Sequence, residues 1–151
     1  MSRKKYDGAK KVIGIILFIL YLIAMCYILF FMEWRSRNLG GVVRYTATPF
    51  REIKRYAGLI KTMPYVAFTN LAGNVLIFMP YGALMTFFRR KTRAVILSVT
   101  LSGFFFSCAI ELTQLFTRVG CCDVDDVILN TMGTLLGSIV YYIHYHRRKK
   151  R

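Results

Sequence analysis

Histidine, cysteine and acidic residues are all scarce in this chain. It contains 2 histidines, 4 cysteines, and 7 aspartates and glutamates against 22 lysines and arginines. Both histidines, His144 and His146, lie near the C-terminus, and no serine has a G-x-S-x-G setting, so we do not expect a serine hydrolase. The cysteines are too scattered for a disulfide framework, and the adjacent Cys121 and Cys122 lack the C-x-x-C spacing of a zinc site.

Apolar residues, by contrast, dominate the composition. They form 56% of the 151 residues, and the mean hydropathy is +0.43. These values predict one small membrane domain, with no room for a second. In such a protein the net charge of +15 is first a topology signal and an attraction for anionic lipid. No basic segment forms a folded module of its own, so we expect membrane lipids as partners and no nucleic acid.

Four apolar runs predict an all-α membrane protein with four transmembrane helices. The predicted spans cover about residues 12–32, 66–88, 94–116 and 126–145. They form a single domain, residues 12–145, between a basic N-terminus at 1–11 and a basic tail at 146–151. The first run is too long for the apolar core of a signal peptide, about 7 to 15 residues, and no A-x-A-like cleavage site follows it.

The distribution of lysine and arginine predicts the orientation. If the four spans alternate in direction, 14 of these residues lie on the side of both termini and 8 lie on the other side. Because cytoplasmic loops are enriched in basic residues, we expect a multi-pass cell-membrane protein with both termini in the cytoplasm. The turn between the third and fourth spans then faces the outside of the cell.

The connection between the first and second spans predicts an interfacial amphipathic helix. Thr48 followed by Pro49 is typical of an N-cap and the first helical position. After them, apolar residues recur at helical spacing while basic residues take the other faces. The apolar positions are Phe50, Ile53, Ala57 and Ile60, and the basic ones are Arg51, Lys54, Arg55 and Lys61. The alternative is a solvated basic loop.

Most of the acidic residues flank the turn between the third and fourth spans: Glu111, Asp123, Asp125 and Asp126. On a helix, Glu111, Gln114 and Arg118 share one face. A second stripe, on the fourth span, begins at Asp123 and Asp126, continues through Asn130, and ends in Gly133 and Gly137. Its last two members have the small-xxx-small spacing by which membrane helices approach closely. The relative roles of Asp123 and Asp125 beside Asp126 stay open.

The second span supplies two amides, Asn70 and Asn74, which share one helical face. They are predicted to lie at the depth of Glu111 and Asp126, so an amide–carboxylate network is expected. The alternative is that both amides only hold helices together.

A buried charge in a membrane requires a partner, and Arg118 is the partner predicted for Glu111 or Asp126. Such a pair either pins two helices together or forms part of a ligand site. The predicted ligand-binding residues are Asn70, Asn74, Glu111, Gln114, Arg118, Asp123, Asp126 and Asn130. No cofactor is expected, although Glu111, Asp123 and Asp126 would suit a divalent cation that bridges to a phosphate.

Three motifs, in order along the chain, carry a family resemblance. They are Asn70-x-x-x-Asn74-x-x-x-Phe78-x-Pro80-x-Gly82, then Glu111-x-x-Gln114-x-x-x-Arg118, and then Asp123-x-x-Asp126-x-x-x-Asn130-x-x-Gly133. A weaker block, Pro49-Phe50-x-x-Ile53, has Thr46 where the family pattern has Asn. Over residues 44–143 the chain resembles VanZ-like membrane proteins, the family of the teicoplanin-resistance protein VanZ. The resemblance implies a four-span protein of the bacterial cell envelope, linked in the founding member to teicoplanin resistance.

The function that we expect is non-catalytic binding of an anionic lipid or a lipid-linked cell-wall precursor in the outer leaflet. Arg118 would meet a phosphate, aided by Arg44, Arg51 or Lys54. One alternative is an enzyme that uses Glu111 and Asp126 as acid and base on an envelope lipid. Another is a small transporter or flippase component, which would require an oligomer. The last is helix packing without a ligand, and the oligomeric state stays open.

Overall fold

The computed structural model describes residues 2–37, 44–89, 93–117 and 121–149, and side chains within 12–30, 46–89, 94–117 and 122–148. In chain order, its elements are α1 (Ser2–Arg37), β1 (Arg44–Thr46), α2 (Arg51–Leu59), α3 (Pro64–Phe88), α4 (Arg93–Thr117), β2 (Cys121–Asp123) and α5 (Val124–Lys149). Within this part of the chain, α1, α3, α4 and α5 are each long and apolar enough to cross a membrane. The predicted all-α membrane fold with four spans is therefore confirmed.

Helices α3 and α5 make the closest helix contact that the structure describes. A Cβ atom at Gly133 would overlap the carbonyl oxygen of Val75, and one at Gly137 would overlap that of Met79. Gly82 of α3 faces the backbone of α5 in the same way. Only glycine allows the two backbones to approach this closely, so the predicted small-xxx-small contact is confirmed.

Helix α1 lies at the edge of the bundle and packs mainly on α3. The Phe18 ring lies 6.1 Å from that of Tyr81, and Met25 is buried. The Tyr21 hydroxyl donates to the carbonyl oxygen of Ile77, in the turn of α3 that precedes Pro80. Proline lacks an N–H and weakens the hydrogen bonding of that turn, which a hydroxyl from a neighbouring helix offsets.

Helix α2 corresponds to the predicted amphipathic helix, but its start was predicted wrongly. The helix begins at Arg51, and its N-cap is Phe50 with φ 63° and no hydrogen bond from its own side chain. Thr48 and Pro49 therefore lie in the preceding turn instead of occupying the N-cap and first helical position. The predicted cap was wrong because the N–H groups of α2 find their acceptor on another helix, described below.

Two short strands join the ends of the helices. β1 pairs in parallel with β2, and Thr46 lies opposite Asp123. The pairing brings the segment before α2 to the start of α5, at the end of the bundle where α4 is followed by α5. We call this the α4–α5 end. Gly40 and Gly41, in the same connection, lie outside the described residues.

Candidate functional site

Asp125 connects α5 to the N-terminus of α2. Its carboxylate accepts hydrogen bonds from the backbone N–H groups of Phe50, Glu52 and Ile53, the last two at 2.7 and 3.0 Å. The side chain is fully buried, with 0% of its surface exposed. The first N–H groups of a helix have no partner inside the helix, and the helix dipole favours a negative charge beside them. Asp125 therefore caps α2 from a position 75 residues away.

Asp123 and Glu111 extend this network into α4. The Asp123 carboxylate accepts the N–H of Asp125 at 2.8 Å, which caps the start of α5. The N–H of Asp123 donates to the Glu111 carboxylate at 2.9 Å, and both side chains are buried. Burial, with the nearby negative charges of Asp125 and Glu52, raises the pKa of the Asp123 carboxyl above its usual value. The bond from the Asp125 N–H opposes this rise.

Asn74 and Asp126 meet between α3 and α5. The Asn74 side-chain amide donates to the Asp126 carboxylate, so the expected bond between amide and carboxylate exists for this pair. Asn70 does not take part in this bond. It is exposed, and its amide donates to the carbonyl oxygen of Val66, one turn earlier in the same helix. Sharing a helical face with Asn74 did not bring Asn70 to the same partner.

Asn130 and Gln114 are two buried amides, on α5 and α4. The Asn130 amide nitrogen donates to the Ser107 hydroxyl at 2.8 Å, and the residue is 2% exposed. Its amide oxygen is buried without a hydrogen-bond partner among the described residues. Gln114 is also buried. A buried amide oxygen without a donor is unfavourable, so the Asn130 oxygen is the polar atom best placed to receive a donor from a ligand or water.

Arg118 lies outside the described residues, so its predicted pairing with Glu111 or Asp126 stays a prediction. The side chain of Arg44 also lies outside them, although its backbone forms part of β1. Within the described part of the chain, no three His, Cys, Asp or Glu side chains group closely enough to hold a metal ion. The Glu111 and Asp123 carboxylates each accept a backbone N–H group, and the suggested cation site at Glu111, Asp123 and Asp126 stays a prediction.

The exposed side of α2 is basic. Arg51 and Lys54 are three residues apart, which places them on one face of the helix, and both are exposed. Arg55 forms an ion pair of 2.7 Å with Glu52, and its guanidinium lies 4.9 Å from the centre of the Tyr56 ring. The positive charge of Arg55 is therefore partly neutralised, whereas Arg51 and Lys54 make no ion pair with any described residue.

The family follows from a comparison with known proteins. A family model described as VanZ/LLP1 matches residues 18–145, which include every predicted site residue. The chain belongs to the VanZ/LLP1 family. A search of the curated proteins and a search of the solved structures each find no match. The VanZ/LLP1 match confirms the resemblance drawn from the sequence motifs, and with the four apolar helices it identifies a VanZ-like multi-pass membrane protein.

Two polar residues with structural importance in this VanZ-like protein were not among the predicted site residues. Asp125 was noticed, but no role was assigned to it, because its partners belong to a helix far away in sequence. Ser107, whose hydroxyl accepts a hydrogen bond from the Asn130 amide, was not among the predicted site residues either. The available signal for Ser107 was its position four residues before Glu111, on the same face of α4.

Proposed function

We propose that this VanZ-like protein binds an anionic lipid or a lipid-linked cell-wall precursor at the α4–α5 end of the bundle, in the outer leaflet. The observation that carries the proposal is the exposed basic face of α2, Arg51 and Lys54, which the buried Asp125 connects to the start of α5. Lysine and arginine bind phosphate oxygens by charge-assisted hydrogen bonds, and each contributes about 1 kcal/mol near an anionic membrane surface.

The buried polar residues support a second set of contacts. Arg118 would join the two cations of α2 on the phosphate, while Glu111, Asp123 and Asp126 orient donors around it. The amides of Gln114 and Asn130 would hydrogen-bond the polar groups that follow the phosphate, since the Asn130 amide oxygen has no partner among the described residues. This arrangement recognises a headgroup without a nucleophile, so we expect binding without turnover.

Native mass spectrometry of the detergent-extracted protein tests this function. We expect anionic phospholipid or a lipid-linked precursor to remain bound to the wild type. The double variant Arg51→Gln/Lys54→Gln should lose about tenfold or more of this binding, because two phosphate contacts are removed. Arg118→Gln should also release the lipid. Labelled lipids incubated with the protein should be recovered intact. Their conversion would instead favour an enzyme that acts on an envelope lipid.

Arg147→Gln/Arg148→Gln is the matched control for the double variant. It removes the same charge from exposed positions at the opposite end of α5 and should weaken binding much less, because those positions contribute only general attraction for anionic lipid. Equal losses in the two double variants would contradict the proposal, because they would indicate attraction by net charge alone. If lipid binding underlies teicoplanin resistance, Arg51→Gln/Lys54→Gln should also reduce resistance in cells that express the protein, while the control should not.

A further inference from the structure

Helix α2 requires attachment to the rest of the protein. It has only 9 residues, fewer than the roughly 12–15 that an isolated helix needs to be even marginally stable in water. Ile53, Tyr56 and Leu59 give it one half-buried side, and the other side is exposed. The half-buried side packs mainly against α3, and the bonds from the N-terminus of α2 to Asp125 hold its first turn against α5.

Those bonds also determine how α2 can meet an anion. The N–H groups at a helix N-terminus commonly bind phosphate, but in α2 the Asp125 carboxylate already occupies them. A phosphate must then be met by the side chains of Arg51 and Lys54. Because these are long and exposed, where they can place their charges depends on where the helix backbone is held.

We propose that Asp125 is a positioning residue, whose carboxylate holds the basic face of α2 over the α4–α5 end and so increases the affinity for anionic headgroups. The consequence for binding rests on the function proposed above. The change in anion binding expected when Asp125 is replaced is opposite in sign to the change expected from its charge alone. Replacing a negative residue should strengthen anion binding by charge alone, whereas loss of the cap from α2 should weaken it.

The first measurement is hydrogen–deuterium exchange of the full chain in nanodiscs. In Asp125→Asn the amides of Phe50, Glu52 and Ile53 should exchange at least about tenfold faster than in the wild type, because their charged acceptor is lost. Peptides from the α3–α5 contact should exchange as before, which verifies that the bundle stays folded. Asp125→Ser also retains only one acceptor oxygen, on a shorter side chain, and should likewise exchange faster than the wild type; it replaces Asp125→Asn if that variant does not fold.

The second measurement, with the protein again embedded in nanodiscs, compares its binding of a headgroup-labelled anionic phosphatidylglycerol, the probe, with its binding of a labelled zwitterionic phosphatidylcholine. Asp125→Asn should lower probe binding about tenfold. Glu52→Gln is the matched control, because it removes the same charge from α2 but leaves the backbone N–H of residue 52 bonded to Asp125. Its binding should equal or exceed that of the wild type.

Three results would overturn the inference. Unchanged exchange in Asp125→Asn would mean that Asp125 does not hold α2. Faster exchange with binding equal to that of Glu52→Gln would mean that the position of α2 does not matter, although the proposed function would survive. If the wild type shows no preference for the anionic probe, the proposed function and the role of Asp125 in binding fail together, while the exchange data still report whether Asp125 caps α2.

Discussion

Asp123 and Asp125 are two residues apart, and both are buried, but their carboxylates accept hydrogen bonds from the N–H groups of different helices. Asp123 accepts one N–H at the start of its own helix, α5. Asp125 accepts three from the start of α2. A carboxylate with several N–H donors is better compensated for its loss of water than one with a single donor. Because burial raises the pKa of Asp123, we expect ionisation of its carboxyl to oppose folding.

The first prediction concerns the replacement Asp123→Asn. Since burial raises the pKa of Asp123 in the folded protein, folding favours its protonated form. This stabilisation is fully present below the unfolded pKa and is lost as the pH rises through the folded pKa. Asparagine does not titrate and is also a good N-cap residue. Relative to the wild type, Asp123→Asn should therefore gain stability as the pH rises from about 4 to neutrality.

Thermal unfolding of the purified protein in detergent, measured from about pH 4 to pH 8, checks this prediction. The difference in midpoint between Asp123→Asn and the wild type should increase by a few degrees towards neutral pH. Glu52→Gln, whose charge is more exposed than that of Asp123, serves as the control. If the difference in unfolding midpoint between Asp123→Asn and the wild type does not vary with pH, ionisation of Asp123 does not destabilise the folded protein.

Individual side chains also show how far spacing along the sequence predicts a site. Spacing placed Asn70 and Asn74 on one face, but only Asn74 contacts Asp126, because the two amides differ in depth by one helical turn. Spacing gave no partner for Asp125, because the N–H groups that it binds belong to α2. A local pattern determines the face that a residue occupies, whereas its contacts depend on how distant elements are brought together.

Among the helices, the contact between α3 and α5 is the one most sensitive to small changes. At Gly137 any side chain would overlap the carbonyl oxygen of Met79, and backbone atoms cannot move aside as a flexible side chain can. Gly137→Ala should therefore force α3 and α5 apart. We expect a loss of about 1–3 kcal/mol of stability, the range typical of overpacking, measured by unfolding in mixed micelles.

Gly73→Ala provides the control for this effect. Gly73 lies within α3, but a Cβ atom there would meet nothing within 4 Å. Because alanine is the better helix former, Gly73→Ala should be neutral or stabilising by about 0.5–1 kcal/mol. If the two alanine substitutions destabilise the protein equally, the loss arises within each helix and not at the contact between helices. That result would contradict the close approach of α3 and α5.

The elements differ in how well the sequence predicts them. The four long helices follow from apolar runs of membrane length, which require no knowledge of their neighbours. The small residues Gly133 and Gly137 likewise indicated a close helix contact. By contrast, β1 and β2 have three residues each and pair across a large sequence separation, so no periodicity reveals them. The start of α2 was missed for the same reason, since its cap is not local.

In the molecule as a whole, polar contacts are concentrated at the α4–α5 end. Asp125 connects α2 to α5, Glu111 connects α4 to β2, and Asn74 connects α3 to α5, all near the last residues of α4. Helix α1 contacts α3 through apolar side chains and the Tyr21 hydroxyl, and most of its described side chains are exposed. The polar end therefore faces one side of the membrane, and which side it faces decides the ligands it can meet.

The last prediction is that the α4–α5 end faces the outside of the cell and both termini face the cytoplasm, because the basic residues favour the side of the termini by 14 to 8. A variant with its four natural cysteines replaced by serine, and one cysteine introduced, tests this in intact cells. A membrane-impermeant maleimide should label Lys61→Cys, at an exposed position between α2 and α3, without lysis.

Arg148→Cys, exposed at the opposite end of α5, is the matched position and should be labelled only after the cells are opened. The reverse pattern would place Arg51, Lys54 and the buried carboxylates on the cytoplasmic side. Lipid-linked precursors displayed in the outer leaflet could not then reach them, whereas anionic phospholipid of the inner leaflet could. The labelling experiment therefore separates the two ligand classes that the same basic face of α2 would bind.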